Sequence, residues 1–248
     1  MPRPMPANPT IPRPAADGPW ASVIIPAVNE AGCIGRAIAS ARAPGVEILV
    51  ADGGSTDGTA EIASQASARV IRSRSGRAEQ QNTAAGQARG RVLLFLHADT
   101  RLPPDWPVWV VRTLAGPGVV AGAFAFQTEL DSWPMRIVKR LVRLRCEILQ
   151  RPYGDQGLFL PAEVFRRVGG FPDRPLAEDL ALVTRLRKLG RIAMAPAAAV
   201  TSDRRWRRSG VLRTTLMNQL MLAGLYCGVQ PARLARWYRR LEQRSRTT

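Results

Sequence analysis

The stretch Glu47-Ile48-Leu49-Val50-Ala51-Asp52-Gly53-Gly54-Ser55-Thr56-Asp57-Gly58-Thr59 decides the fold. Glu47–Ala51 is a short, mostly apolar run that reads as a strand, Asp52 to Gly58 is built of turn formers, and Thr59–Ala66 continues as a helix. Working outward, Ser22–Pro26 predicts an earlier strand and Ala31–Ala41 the helix that follows it. On the other side, Arg69–Ile71 predicts a third strand, Ala78–Ala88 a helix and Val92–Leu96 a fourth strand. The alternation is that of βαβ units, and the wholly apolar Val92–Leu96 suits a parallel strand covered by helices on both faces. Ligands of such open sheets sit beyond the carboxyl ends of the strands. Those ends read Pro26-Ala27-Val28-Asn29-Glu30, then Asp52 to Thr59, then His97-Ala98-Asp99-Thr100.

Taken singly, Asp52-Gly53 and Asp57-Gly58 are ordinary turn dipeptides. Three acidic clusters converging on one sheet edge point further. Asp99 follows a buried strand, where an unpaired charge is costly unless a cation satisfies it. Carboxylate oxygens suit Mg²⁺ or Mn²⁺, which take one or two protein carboxylates together with phosphate oxygens and waters. His97, the one histidine of the chain, falls on the same side of an extended strand as Asp99, so it is either a packed core residue or a ligand to metal or nucleotide.

The 248 residues, 46% of them hydrophobic, suffice for one α/β domain. A net charge of +17 implies an anionic partner: phosphates, nucleic acid or an acidic membrane leaflet. Only Lys139 and Lys188 among the 36 basic residues are lysine, a preference that genomic base composition would also produce. Cys33, Cys146 and Cys227 have neither metal-ligand nor redox spacing, which suits a reducing cytoplasm. Residues 1–20, rich in proline and without an apolar run, are expected as a disordered leader rather than a signal peptide. No stretch reaches the roughly 20 apolar residues of a spanning helix.

Beyond Pro103 the pattern loosens. Helices are expected at Trp106–Leu114, Pro161–Val168 and Glu178–Leu189, a strand at Gly122–Phe126, and a basic amphipathic helix at Trp133–Leu149 with Ile137, Leu141, Leu144 and Ile148 on one stripe. That helix, with Arg136, Lys139, Arg140 and Arg143, and the apolar segment Leu212–Tyr226 either pack on the sheet or rest on a membrane surface. Arg204, Arg205, Arg207 and Arg208, with Trp206 among them, would close over a diphosphate or lie on acidic headgroups. Glu178 and Asp179 suit the first turn of their helix and need be no more than caps.

The ordered set Pro26-x-x-Asn29-Glu30, Val50-Ala51-Asp52-Gly53-Gly54-Ser55-Thr56-Asp57-Gly58-Thr59, His97-Ala98-Asp99 and Glu178-Asp179 resembles the signature of family 2 glycosyltransferases over about residues 21 to 205. Gly76-Arg77-Ala78-Glu79-Gln80-Gln81-Asn82 and Thr201-Ser202-Asp203-Arg204-Arg205-Trp206 resemble a compact bacterial branch of that family. The resemblance implies a GT-A fold, an α/β sandwich with a mainly parallel central sheet flanked by helices, as a catalytic domain over residues 21–205. Residues 206–248 would form a basic, apolar helical extension. It implies a UDP- or GDP-type nucleotide-sugar donor bound by Pro26, Asn29, Glu30, Asp52, Gly53, Asp57 and Ala98; Arg77, on a turn before a helix, either pairs with the diphosphate as a further donor-binding residue or is solvated surface. Asp99 would hold Mn²⁺ or Mg²⁺, with His97 standing where the family often has a second acid. Asp179 falls at the catalytic base, and Asp155, Gln156 and Glu178 on the side of the acceptor, which is unknown and lipid in one reading. Placement in the cytoplasm, peripheral on the cytoplasmic face of the inner membrane in one reading, with single inverting displacement, completes the expectation.

Three rivals fare worse. A sugar-phosphate nucleotidyltransferase wants a Lys-bearing, Gly-rich loop after its first strand, and Pro26–Gly32 has no lysine. A dinucleotide-dependent oxidoreductase wants G-x-G-x-x-G, which follows neither Ile25 nor Val50. A basic nucleic-acid-binding protein lacks any recognisable binding motif beyond its charge.

Overall fold

The computed structural model describes residues 18–244, with side chains through Trp237. The expected leader lies outside the described residues except for its last three. Trp20, one of these, is buried, donates from Nε1 to the Pro44 carbonyl at 3.1 Å and stacks on Trp106 with ring centroids 5.8 Å apart. The packed domain therefore includes Trp20.

The first half alternates strand and helix as the sequence predicts: β1 (Ala21–Ala27), α1 (Ala31–Ala41), β2 (Val46–Asp52), α2 (Thr59–Gln65), β3 (Arg69–Arg72), α3 (Arg77–Gly86) and β4 (Val92–Phe95). Strand β1 pairs in parallel with β2 and β4, and β2 with β3, in registers such as Ile25↔Val50 and Val23↔Leu94. Successive side chains of a strand point to opposite faces. Val23, Ile25, Val50 and Leu94 accordingly pack with Ile34 and Ile38 of α1 in one core layer. Ile24, Leu49, Ala51 and Phe95 enter a second layer on the other face. Burying side chains of the size of Ile34 or Ile38 contributes about 1.5–3 kcal/mol each.

The second half comprises β5 (Thr100–Arg101), α4 (Trp106–Leu114), β6 (Val119–Thr128), α5 (Trp133–Leu149), a single 3-10 turn (Gly154–Gln156), β7 (Leu158–Pro161), α6 (Ala162–Arg167), α7 (Glu178–Leu186), β8 (Arg191–Thr201), α8 (Arg204–Ser209), α9 (Val211–Tyr226) and α10 (Pro231–Arg244). One sheet runs β3-β2-β1-β4-β7-β6-β8-β5. Helix α4 lies on the layer of α1, and α6 and α7 lie on the layer of α3.

Strand β7 is antiparallel to β4, with Phe95 opposite Leu158. That pairing decides where the chemistry can be, because it sets the 3-10 turn before β7 directly beside the residues that leave β4, His97 to Asp99. Helix α5 starts where Ser132 accepts a hydrogen bond from the Met135 amide at 3.4 Å. It buries Met135 and Cys146, while its stripe of Ile137, Leu141, Leu144 and Ile148 faces outward and does not pack on the sheet.

Candidate active site

A cavity of about 680 Å³, within the ordinary range for a small-molecule site, opens at the carboxyl ends of β1 and β4. The exits of those two strands supply Pro26 and Glu30, and His97, Ala98 and Asp99. The N-terminus of α3 supplies Arg77 and Gln80, the 3-10 turn supplies Asp155 beside Tyr153, and the start of α7 supplies Asp179. Helices α8 and α9 close the remaining wall with Arg205, Trp206, Asn218, Met221 and Leu222. Part of the segment expected as an extension is therefore wall of the cavity.

The carboxylates are held with different degrees of fixity. One Asp179 oxygen accepts the Gly154 amide at 2.7 Å and the other its neighbour Leu180's amide at 2.7 Å. Ala177, just before α7, has φ of 59°, a left-handed conformation that costs a non-glycine residue energy and turns the chain into the helix. Gly154 cannot carry a side chain comfortably, since a Cβ there would lie 2.7 Å from His97 Nε2 and 3.4 Å from Asp179 Oδ2. The backbone of the turn thus wedges between imidazole and carboxylate.

Burial raises the Asp155 carboxyl to about 6, against the pull of Arg145 and with help from the Asp179 and Asp99 charges. Burial, seconded by the charge of Arg77, lowers His97 to about 3, so its imidazole is neutral. Asp99 and Glu30 share one cation: Arg204 Nη2 lies 2.8 Å from Glu30 Oε2 and 3.7 Å from Asp99 Oδ2. Among the described residues no three His, Cys, Asp or Glu side chains stand close enough to hold a metal ion by themselves. A neutral imidazole and a carboxylate two residues apart still form a donor set that a hard divalent cation can complete with phosphate oxygens and waters.

Other sequence-predicted residues have their polar groups committed elsewhere. The Asp52 carboxylate accepts the Gly54 and Ser55 amides at 3.2 Å. Asn29 Oδ1 accepts the Thr56 backbone amide at 2.9 Å, and the Asn29 backbone amide donates to Ser55 Oγ at 3.0 Å. Asp57 receives the Thr59 hydroxyl and the Ala31 amide, and the former chiefly holds its carboxyl below the usual range. These bonds clasp the β1–α1 loop to the β2–α2 loop. Gly53 lies beneath Gln80, where a Cβ would come within 3.0 Å of the amide carbon.

Glu178 is buried and pairs with Arg77 at 3.3 Å, burial pushing its carboxyl up while Arg77 pulls it down. Gln156 is a buried tie: its amide donates to the Phe124 carbonyl at 3.0 Å, and its oxygen accepts Arg145 Nη2 and the Tyr153 amide, each at 3.1 Å. Arg145 in turn lies 3.5 Å over the Tyr153 ring. None of Asn29, Asp52, Gly53, Asp57, Gln156 or Glu178 lines the cavity.

Sequence reasoning missed Gln80, buried at the start of α3, whose Nε2 donates to the carbonyls of Ala27 at 2.9 Å and Ala51 at 2.7 Å. It pins together the ends of β1 and β2 on which the site is built. Its signal was present, for Gln80 falls in the Gly76–Asn82 segment, but a glutamine bonded to two carbonyls distant in sequence leaves no local pattern. The cavity residues of α9 were equally invisible, because only the fold brings that helix over the sheet.

Comparison with known proteins adds the lineage. The profile of glycosyl transferase family 2 matches residues 22–167. The chain belongs to that family. It is 37% identical over 177 residues to glycosyltransferase AglE of Haloferax volcanii, an alignment that covers 62% of this chain and 57% of AglE. This family 2 chain thus spans little more than half the length of that curated relative.

Among solved structures, it resembles TarS of S. aureus in complex with UDP, with a TM-score of 0.58 and 18% identity over 73% of this chain and 60% of that one. It also resembles glucosyl-3-phosphoglycerate synthase of Mycobacterium tuberculosis in complex with Mn²⁺, UDP and glucosyl-3-phosphoglycerate, with a TM-score of 0.53 and 23% identity over 74% and 72% of the two chains. The likeness establishes the GT-A fold for this family 2 chain.

Proposed function

We propose that this chain transfers a sugar from a nucleotide diphosphate of UDP or GDP type to an acceptor hydroxyl, in one in-line displacement that inverts the anomeric carbon. The observation that carries the reading is the convergence of Asp99, Asp155 and Asp179 on one cavity at the strand ends of a family 2 chain. The UDP and Mn²⁺ held by the structural relatives agree with it.

Pro26, Glu30 and Ala98 wall the donor side, and the clasp of Asn29, Asp52, Gly53 and Asp57 shapes the loops behind it. Arg77 faces the diphosphate, whose geometry suits a guanidinium fork. Asp99, with His97 beside it, would hold Mn²⁺ or Mg²⁺. Such an ion, when bound, stabilises negative charge on the diphosphate oxygens. Asp179, oriented by the Gly154 and Leu180 amides, takes the proton of the acceptor hydroxyl. The acceptor oxygen bonds to the anomeric carbon as the bond from that carbon to the diphosphate breaks, and the nucleoside diphosphate departs. Asp155 and, through their fixed neighbours, Gln156 and Glu178 set the acceptor side.

The catalytic domain runs from Trp20 to about residue 205 and is completed by the helices that follow. Free thiols at Cys33, Cys146 and Cys227 suit a cytoplasmic site. A lipid-borne acceptor met at the inner face of the membrane suits the basic surface.

The test is Asp179→Asn. A general base contributes about 10²–10⁴ in rate. The variant is expected to lose that much nucleoside-diphosphate release from the cognate nucleotide sugar while keeping thermal stabilisation by the diphosphate. Undiminished release overturns the assignment of the base.

A further inference from the structure

Helix α5 presents an apolar stripe to solvent. Trp133, Ile137, Leu141, Leu144 and Ile148 recur at three- and four-residue spacing, share one face and are each 50–67% exposed. Helix α9, which packs beside α5, adds Leu212, Leu216 and Leu220 at four-residue spacing, 51–69% exposed. Arg151, just past the end of α5, bonds to the Tyr226 hydroxyl at the end of α9 and ties the two helices together. So many exposed apolar side chains on two adjoining helices mark an interaction surface.

Charge decides what covers it. Beside the stripe, α5 carries Arg136, Arg140 and Arg143 against Glu147, which Arg143 engages at 2.7 Å, and Asp131 just before the helix, which Arg136 engages at 3.4 Å; Lys139 and Arg145 turn away, to the Thr128 and Leu130 carbonyls and to Gln156. Helix α9 adds Arg213 and no acid. A second copy of the chain laid on this face would meet its own cations, whereas an anionic leaflet meets both the leucines and the arginines. No helix among the described residues is long and apolar enough to cross a membrane. Helices of this composition lie in the interface.

We propose that α5 and α9 form a docking face for an anionic lipid bilayer. Leu141, Leu144, Leu216 and Leu220 enter the boundary between headgroups and acyl chains, and Arg136, Arg140 and Arg143 lie on headgroup phosphates. The opposite side of α9, with Asn218, Met221 and Leu222, lines the cavity. Docking therefore holds the cavity beside the lipid surface, where a membrane-borne acceptor is met. That last consequence rests on the proposed transfer reaction; the docking itself does not.

The experiment is flotation of the full chain with vesicles of phosphatidylcholine alone and of phosphatidylcholine mixed with phosphatidylglycerol. The chain is expected to float with the mixed vesicles at low salt, to be released as salt screens the charge, and to ignore phosphatidylcholine alone. Each arginine near such a surface contributes about fivefold in affinity, so Arg140→Gln with Arg143→Gln lowers binding more than about tenfold. Leu141→Gln with Leu144→Gln, or Leu216→Gln with Leu220→Gln if the first pair impairs folding, lowers it comparably without shifting the unfolding midpoint. Absence of flotation, or flotation indifferent to all these pairs, overturns the proposal. So does a dimer in sedimentation equilibrium that the α5 pairs dissociate. Stabilisation by nucleoside diphosphates, measured on the same samples, separates the two readings: its loss refutes donor binding and leaves docking standing.

Discussion

Gly154→Ala should silence the proposed transfer without unfolding the chain. The added methyl would sit 2.7 Å from His97 Nε2, about 0.8 Å short of the ~3.5 Å at which such atoms pack without repulsion. Asp179 does not give freely, being fixed by two amide hydrogen bonds, and His97 is half-buried in the cavity wall. The turn must therefore move by most of that distance, and with it the amide that aims Asp179. A misplacement of about 1 Å in a reacting group costs about 10²-fold in rate. Overpacking costs about 1–3 kcal/mol in stability, partly offset by the smaller entropy that alanine loses on folding. The assay pairs release of nucleoside diphosphate from the cognate nucleotide sugar with urea unfolding. The expected result is a loss of about two orders of magnitude in turnover for roughly 1–2 kcal/mol in stability. Full activity at unchanged stability would refute the idea that this turn positions the base.

Further perturbations test the scaffold. Gln80→Ala leaves the Ala27 and Ala51 carbonyls without their donor and should cost about 2–3 kcal/mol, read by denaturant unfolding. At the opposite end of the sheet, Glu47 accepts Ser22 Oγ at 2.6 Å, the Gly90 amide at 3.2 Å and Arg89 Nε at 3.1 Å. Burial works to raise its carboxyl, but these bonds outweigh it and hold the group below its ordinary 4.5. Its stabilising contribution is thus complete above the unfolded-state value and is lost as pH falls through the lower folded-state one. Unfolding free energy measured from pH 6 downward should drop below about pH 4.5 in the wild type, and less steeply in Glu47→Gln.

What could be read from the sequence follows from where the determinants are local. Val50–Thr59 carries strand, turn and helix start within ten residues, and the structure has them where expected. The α5 stripe was legible as a period but not as an exposed surface, because periodicity says which residues share a face and not what that face meets. Strand β8 was hidden for another reason. Its Ala193, Ala195 and Ala197–Ala199 have weak strand preference, and Pro196 argues against a central strand. The pairing with β6 resolves this by a register shift: Phe124 opposes Ala195 and Ala125 opposes Ala198, so Pro196 falls in the irregularity and owes the ladder no amide. At the site, strand-end residues such as Glu30 and Asp99 were found because topology and sequence agree there. Tyr153, Asn218 and Met221 needed the antiparallel β7 and the folded-back α9, which no local pattern encodes.

The central claim is that the cavity at the ends of β1 and β4 holds a nucleotide diphosphate with a divalent cation at Asp99. The most direct measurement is thermal stabilisation of the chain by a panel of nucleoside diphosphates with and without Mn²⁺, with Asp99→Ala alongside, since a ligand that binds only the native state raises its apparent stability. A Mn²⁺-dependent rise with one diphosphate, lost in Asp99→Ala, is the predicted result. No rise with any diphosphate, or a rise that Asp99→Ala retains in full, would contradict it.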